Sequence, residues 1–235
     1  MSNGYTPVPD VENEIRVVER SLACADTARP VHPDRSLVPV STGMPRSWDG
    51  RVAYAVSHMG SPPVLTTGSI ALLAAVLSGL SAWLWACAYV LMSMMAPLAY
   101  LVWLLRRGQI TDLDVQLREQ RLRPMLFTSA CGIGAWLLLL IGAAPRPLIV
   151  LGGALLVETL IIFVITLRWK ISVHCAAAAG AATLVWSLIG TPLPLIVGVP
   201  LIAWSRLRLQ RHTLAQVVAG SVVGMAIFLG AFMVI

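Results

Sequence analysis

Charge is scarce in this chain. Of 235 residues, 12% are Asp, Glu, Lys or Arg, where a soluble domain carries roughly a quarter. With 57% hydrophobic residues and a mean hydropathy of +0.80, that scarcity excludes an ordinary soluble domain. Cysteine is sparse as well. Cys24, Cys87, Cys131 and Cys175 are scattered without metal-ligand spacing, so no disulfide framework is expected and the thiols read as small apolar packers. No apolar core follows a basic start in the first 62 residues, as a secretory signal peptide requires. Carboxylates do not cluster, so neither a metal nor another cofactor is expected. The apolar runs also lack the alternation of barrel strands.

What is abundant is long apolar sequence. From Pro63 onward the runs are long enough to cross a bilayer, which takes about 20 residues each. Seven spans are expected, at 64–84, 86–106, 125–143, 147–167, 174–190, 193–204 and 213–234. The fold class is an all-α, polytopic transmembrane bundle of six to seven spans over 63–235, behind a polar, Pro-rich tail at 1–62 that reads as disordered. Within the tail, Val11, Ile15, Val18 and Leu22 have the spacing of a short amphipathic helix. The sixth span carries Pro194 and Pro200 and is expected to kink or to start inside the membrane. Gly220 and Gly224 have the small-xxx-small spacing of close helix packing. Most tryptophans fall near span ends, as interfacial anchors do.

Net charge is +6, but the positive residues sit beside apolar spans, which favours membrane orientation and anionic ligands over nucleic acid. Seven spans place the loops at 107–124, 168–173 and 205–212 on one side. The first holds Arg118, Arg121, Arg123 and Pro124. The second is Lys170-Ile171-Ser172-Val173-His174. The third is Ser205-Arg206, then His212, then Gln216. Guanidinium forks match phosphate oxygens, and charge-assisted hydrogen bonds to them are stronger than neutral ones. The chemistry indicated is metal-free work on a phosphate at a membrane surface.

The three segments resemble the three-part signature of the type 2 phosphatidic acid phosphatase superfamily, Lys-x6-Arg-Pro, Pro-Ser-Gly-His and Ser-Arg-x5-His-x3-Asp. Arg123-Pro124, Ser172 with His174, and Ser205-Arg206 with His212 match it. The resemblance covers about 64–235. It departs at Gln116 in place of Lys, at Ile171 and Val173 in place of Pro and Gly, and at Gln216 in place of Asp. Arg118 or Lys170 is a substitute for the missing Lys charge.

The resemblance implies a lipid phosphatase or isoprenyl diphosphate phosphatase. His212 would attack phosphorus to form a phosphohistidine. His174 would protonate the leaving oxygen and then activate water. Arg123, Arg206 and Ser172 would hold the phosphoryl oxygens, with Arg118, Lys170 and Ser205 in the same binding role. Gln216, four residues after His212, is expected on the same helical face, with its amide oxygen fixing the ring tautomer. Such a Gln supplies no negative charge, and a weaker nucleophile is expected.

Other classes fit the same residues: an isoprenoid diphosphate transferase or cyclase, a phosphate-binding pseudoenzyme, or a lipid transporter. Arg106, Arg107 and Arg121 read as ordinary membrane-flanking charges, and Asp112 and Asp114 as helix caps or as ligands of a metal-diphosphate. Glu158, near the middle of the fourth span, is either functional or protonated and hydrogen-bonded to a neighbouring helix. With candidate phosphate ligands and distant tail residues set aside, seven basic residues lie on the motif side against Arg146 on the other. The site is therefore expected to face the cytoplasm from the cell membrane. Nothing in the sequence specifies an oligomeric state.

Overall fold

The computed structural model describes residues 47–111 and 118–233, with the side chains of 118 and 119 outside that description. The expected amphipathic helix near Val11, the residues Asp112, Asp114 and Gln116, and the Arg118 side chain therefore lie outside the described residues. Among the described residues there is no strand. Those residues form eight helices in order: α1 (Trp48–Met59), α2 (Pro62–Leu77), α3 (Leu80–Arg106), α4 (Arg118–Ile141), α5 (Arg146–Thr166), α6 (Val173–Ile189), α7 (Pro194–Gly198 continuing as Val199–Arg208) and α8 (Leu214–Phe232).

The all-α bundle expected from the sequence is the fold observed, and its apolar helices make it a multi-pass membrane protein. The span boundaries differ from expectation. Helices α3, α4, α5 and α8 are long and apolar enough to cross a membrane, and α1 with α2 makes a fifth if the pair, bent by 46°, is taken as one broken span. Helix α6 is apolar but has 17 residues. The break expected near residue 85 falls instead at Ser78 and Gly79, whose φ angles are 54° and 128°. Composition is apolar on both sides of either position, so hydropathy alone cannot locate this break. The glycine, which reaches positive φ without a Cβ clash, locates it. The expected tail at 1–62 also ends in a helix, α1.

Two π-helical segments interrupt the α geometry, Leu91–Met95 in α3 and Pro194–Gly198 in α7. Each ends two residues before a proline, Pro97 or Pro200. A helical proline lacks the N–H that would bond the carbonyl four residues back, and its ring crowds that carbonyl. The widened turn relieves the crowding and lets the helix continue. The expected disturbance at Pro200 is thus present as a π turn inside an unbroken helix.

Helix α6 is the hub. Its run Cys175 to Ala179, with Gly180, Ala182 and Thr183, is buried, and side chains this small let several helices approach one axis. The most extensive pairing is with α8. A Cβ on Gly220 would run into the Ser172 carbonyl oxygen, and one on Gly224 into that of Ala176. The two backbones meet there without intervening side chains, the role expected of that glycine pair. Phe228 fills the space over Gly180, where a Cβ would lie 2.6 Å from its ring. Toward the same end, Leu73, Leu151, Leu184 and Phe228 line an apolar cavity of about 350 Å³.

Candidate phosphate site

The second and third polar segments are stitched together by main-chain geometry. Ser172 caps α6, its hydroxyl oxygen accepting from the Cys175 N–H at 3.4 Å. Its own N–H donates to the Gln216 carbonyl at 3.2 Å. Lys170 Nζ donates to the Arg211 carbonyl at 3.0 Å, tying the loop before α6 to the loop before α8. Ile171 anchors this arrangement, since it is buried in a cluster with Ile162 and Ala176 against which Met125, Ala219 and Val223 pack. Met125 directly follows Arg123-Pro124, so the first polar segment also reaches this end of the bundle. Arg123 itself is exposed.

His212 lies on the short turn between α7 and α8, half-buried. The sequence reading put it on one helical face with Gln216, but α8 begins at Leu214 behind the cap residue Thr213, so His212 is outside the helix. The two side chains meet for another reason. Gln216 is the third residue of α8, and its side chain reaches back to the helix start in the manner of a capping box. Its Oε1 accepts from the Thr213 N–H at 3.2 Å and lies 3.0 Å from His212 Nδ1.

That pair of contacts fixes chemistry that neither contact fixes alone. A main-chain N–H can only donate, so the Gln216 atom facing Thr213 must be the oxygen. An amide oxygen can only accept, so Nδ1 of His212 carries the proton. In the neutral ring Nε2 then keeps its lone pair, the state a nucleophile or general base requires.

Arg206 and Ser205 are buried and bonded within the protein. Ser205 is fully buried, and its hydroxyl donates to the Ile202 carbonyl at 2.7 Å within its own helix. Helical Ser commonly bonds back this way, and the family pattern alone could not reveal it. Arg206 is 4% exposed, and its Nη1 donates to the Ser57 hydroxyl at 2.8 Å. Ser57 belongs to α1, 149 positions earlier, in a segment whose polar composition reads as tail and gives no sign of this contact. A second bond joins the same helices, from Arg208 Nε to Asp49 Oδ2 at 2.7 Å. Arg206 is also within electrostatic reach of Cys175, in the first turn of α6, so it lies near the Ser172 cap. His174 is half-buried in that turn. Two histidines, Lys170, Ser172, Gln216 and Arg206 thus gather at one end of the bundle.

Glu158 is elsewhere, buried on α5, the most buried of the long apolar helices. Its Oε1 has no hydrogen-bond partner. The expected bond to a neighbouring helix is therefore not made by that oxygen. Among the described residues, no group of three or more His, Cys, Asp or Glu side chains is placed to hold a metal ion.

In comparisons with family models, curated proteins and solved structures, the chain matches none.

Proposed function

We propose that this membrane protein hydrolyses a lipid phosphate or isoprenyl diphosphate through a phosphohistidine on His212, without a metal. The observation that carries the reading is the bond chain Thr213–Gln216–His212, which leaves Nε2 unprotonated. In the first step Nε2 bonds to phosphorus as the bond to the leaving oxygen breaks, and His174 gives that oxygen a proton. In the second, His174 takes a proton from water, the water oxygen bonds to phosphorus, and the phosphorus–nitrogen bond breaks to release phosphate and restore His212. Arg206 and Ser172 hold the phosphoryl oxygens, and Arg123, Arg118 and Lys170 supply positive potential around the site. The substrate's apolar tail stays in the bilayer. The basic residues flanking the spans favour a site facing the cytoplasm from the cell membrane.

The test is phosphate release from farnesyl diphosphate and from phosphatidic acid by the purified protein in detergent with EDTA. Release that persists in EDTA and is lost in His212→Ala is the expected result. No release from either lipid by folded protein overturns the reading. A changed carbon skeleton in the product would identify a transferase or cyclase instead.

One observation favours a second reading, a phosphate-binding pseudoenzyme. The group facing Nδ1 of His212 is the neutral amide of Gln216, which offers no negative charge to a ring that must attack phosphorus. Binding of inorganic phosphate without turnover of either lipid would identify it.

A further inference from the structure

The Arg206–Ser57 contact bears on how a phosphate would reach the site, an inference that rests on the phosphate reading above. We propose that α1 is a displaceable cover on an oxyanion site, with the Ser57 hydroxyl holding the place on the Arg206 guanidinium that a phosphoryl oxygen takes when the cover lifts.

The geometry supports a cover rather than a permanent wall. The residues of α1 buried outright are the small Gly50, Ala53 and Ser57, which bring the helix close to α7, while its larger apolar side chains Val52, Tyr54 and Val56 are only partly buried, which limits the apolar burial that would hold it down. The ties are polar: Arg206 to Ser57, and Arg208 to Asp49, whose side chains are 45% and 47% exposed. An ion pair that exposed is weak and screened by salt. At the far end of α1, Gly60 and Ser61 separate it from α2, and the chain bends there by 46°, which gives a natural hinge.

The exchange is also chemically favourable. A serine hydroxyl is a neutral acceptor, whereas a phosphate oxygen is charged and can engage the guanidinium fork with a second oxygen beside it. An anion therefore displaces Ser57 from Arg206, while water or a neutral ligand does so poorly. The expected occupant is a phosphate monoester or diphosphate headgroup, and inorganic phosphate is its simplest probe.

Cys175 reports the movement. It is fully buried, and Val56 of α1 is among the residues that pack over its cluster. The experiment measures the rate at which N-ethylmaleimide labels Cys175 in the full chain in detergent, with Cys24, Cys87 and Cys131 replaced by Ser. Asp49→Ala should speed labelling about twofold to fivefold, the yield of one exposed ion pair. Ser57→Ala should speed it about tenfold, the yield of one charge-assisted hydrogen bond. Asp49→Arg combined with Arg208→Asp should return it to the starting rate. Inorganic phosphate should accelerate labelling of the parent chain, and Arg206→Gln should abolish that response.

A chain retaining Cys131 alone reports general loosening and should label at the same rate in every variant. If it accelerates in parallel with the Cys175 chain, the cover is overturned. Unchanged Cys175 labelling in both Asp49→Ala and Ser57→Ala also overturns it, even if the protein releases phosphate from lipids. Faster labelling in the variants with no response to phosphate overturns the oxyanion assignment and leaves only a hinged helix.

Discussion

The side-chain oxygen of Gln216 lies 3.0 Å from Nδ1 of His212. The same oxygen accepts from the Thr213 main chain, so a helix cap and a catalytic tautomer depend on one atom. Replacing Gln216 with Leu should lower stability by about 1 kcal/mol, the usual worth of a cap. Phosphate release should fall by on the order of 100-fold as the ring loses its fixed tautomer, less than the about 10⁴-fold loss when a charged partner is neutralised in serine hydrolases. Nitrogen NMR of His212 should show Nδ1 protonated in the parent and a tautomer mixture in the variant. A parent ring protonated on Nε2 would contradict the assignment.

Lys170 reaches the Arg211 carbonyl across 41 positions of sequence and so steadies the turn that carries His212. Lys170→Met keeps the stem and removes the donor. Amide exchange over residues 209–213 should speed by about tenfold, in line with the loss of one charge-assisted bond, while the middle of α8 should be unaffected. Uniform acceleration along α8 would show that Lys170 supports the whole helix instead.

Gly224 abuts the main chain of Ala176, and main chain cannot move aside as a side chain can. Gly224→Val should therefore destabilise the bundle by about 3 kcal/mol, read as a lowered thermal midpoint in detergent. Gly230, six residues further along α8 but with open space around it, provides the contrast. Gly230→Ala should stabilise by about 0.5 kcal/mol through helix propensity. Equal effects at the two positions would refute the close α6–α8 approach.

Glu158 has a buried carboxyl oxygen without a partner. Leaving a polar group in this state costs free energy that an apolar side chain of similar size would not incur. Glu158→Met should therefore raise the thermal midpoint, by the equivalent of about 1 kcal/mol. A lowered midpoint would mean that the carboxyl has a stabilising role in the bundle.

Hydropathy determined much of this protein directly. The cores of α4, α5 and α8 coincide with expected spans because a run of about 20 apolar residues has few other stable outcomes in a bilayer. The glycine pair at 220 and 224 marked the α6–α8 contact, because only small residues permit that approach. The histidines, Lys170 and Ser172 were visible as polar residues interrupting apolar sequence.

What only the tertiary structure decided is where those groups point and what they touch. The helix break at Ser78 and Gly79 depends on backbone dihedrals, which hydropathy does not record. The Gln216 contact with His212 comes from a cap rather than a shared helical face, since the start of α8 is set by Thr213 and the packing around it. Ser205 faces its own helix, and Arg206 faces Ser57, a partner 149 positions away in a segment whose polar composition gave no sign of contact. Local sequence limits which groups can bond. The choice among them follows from long-range packing, which brings α1 onto α7 and the start of α6 onto α8.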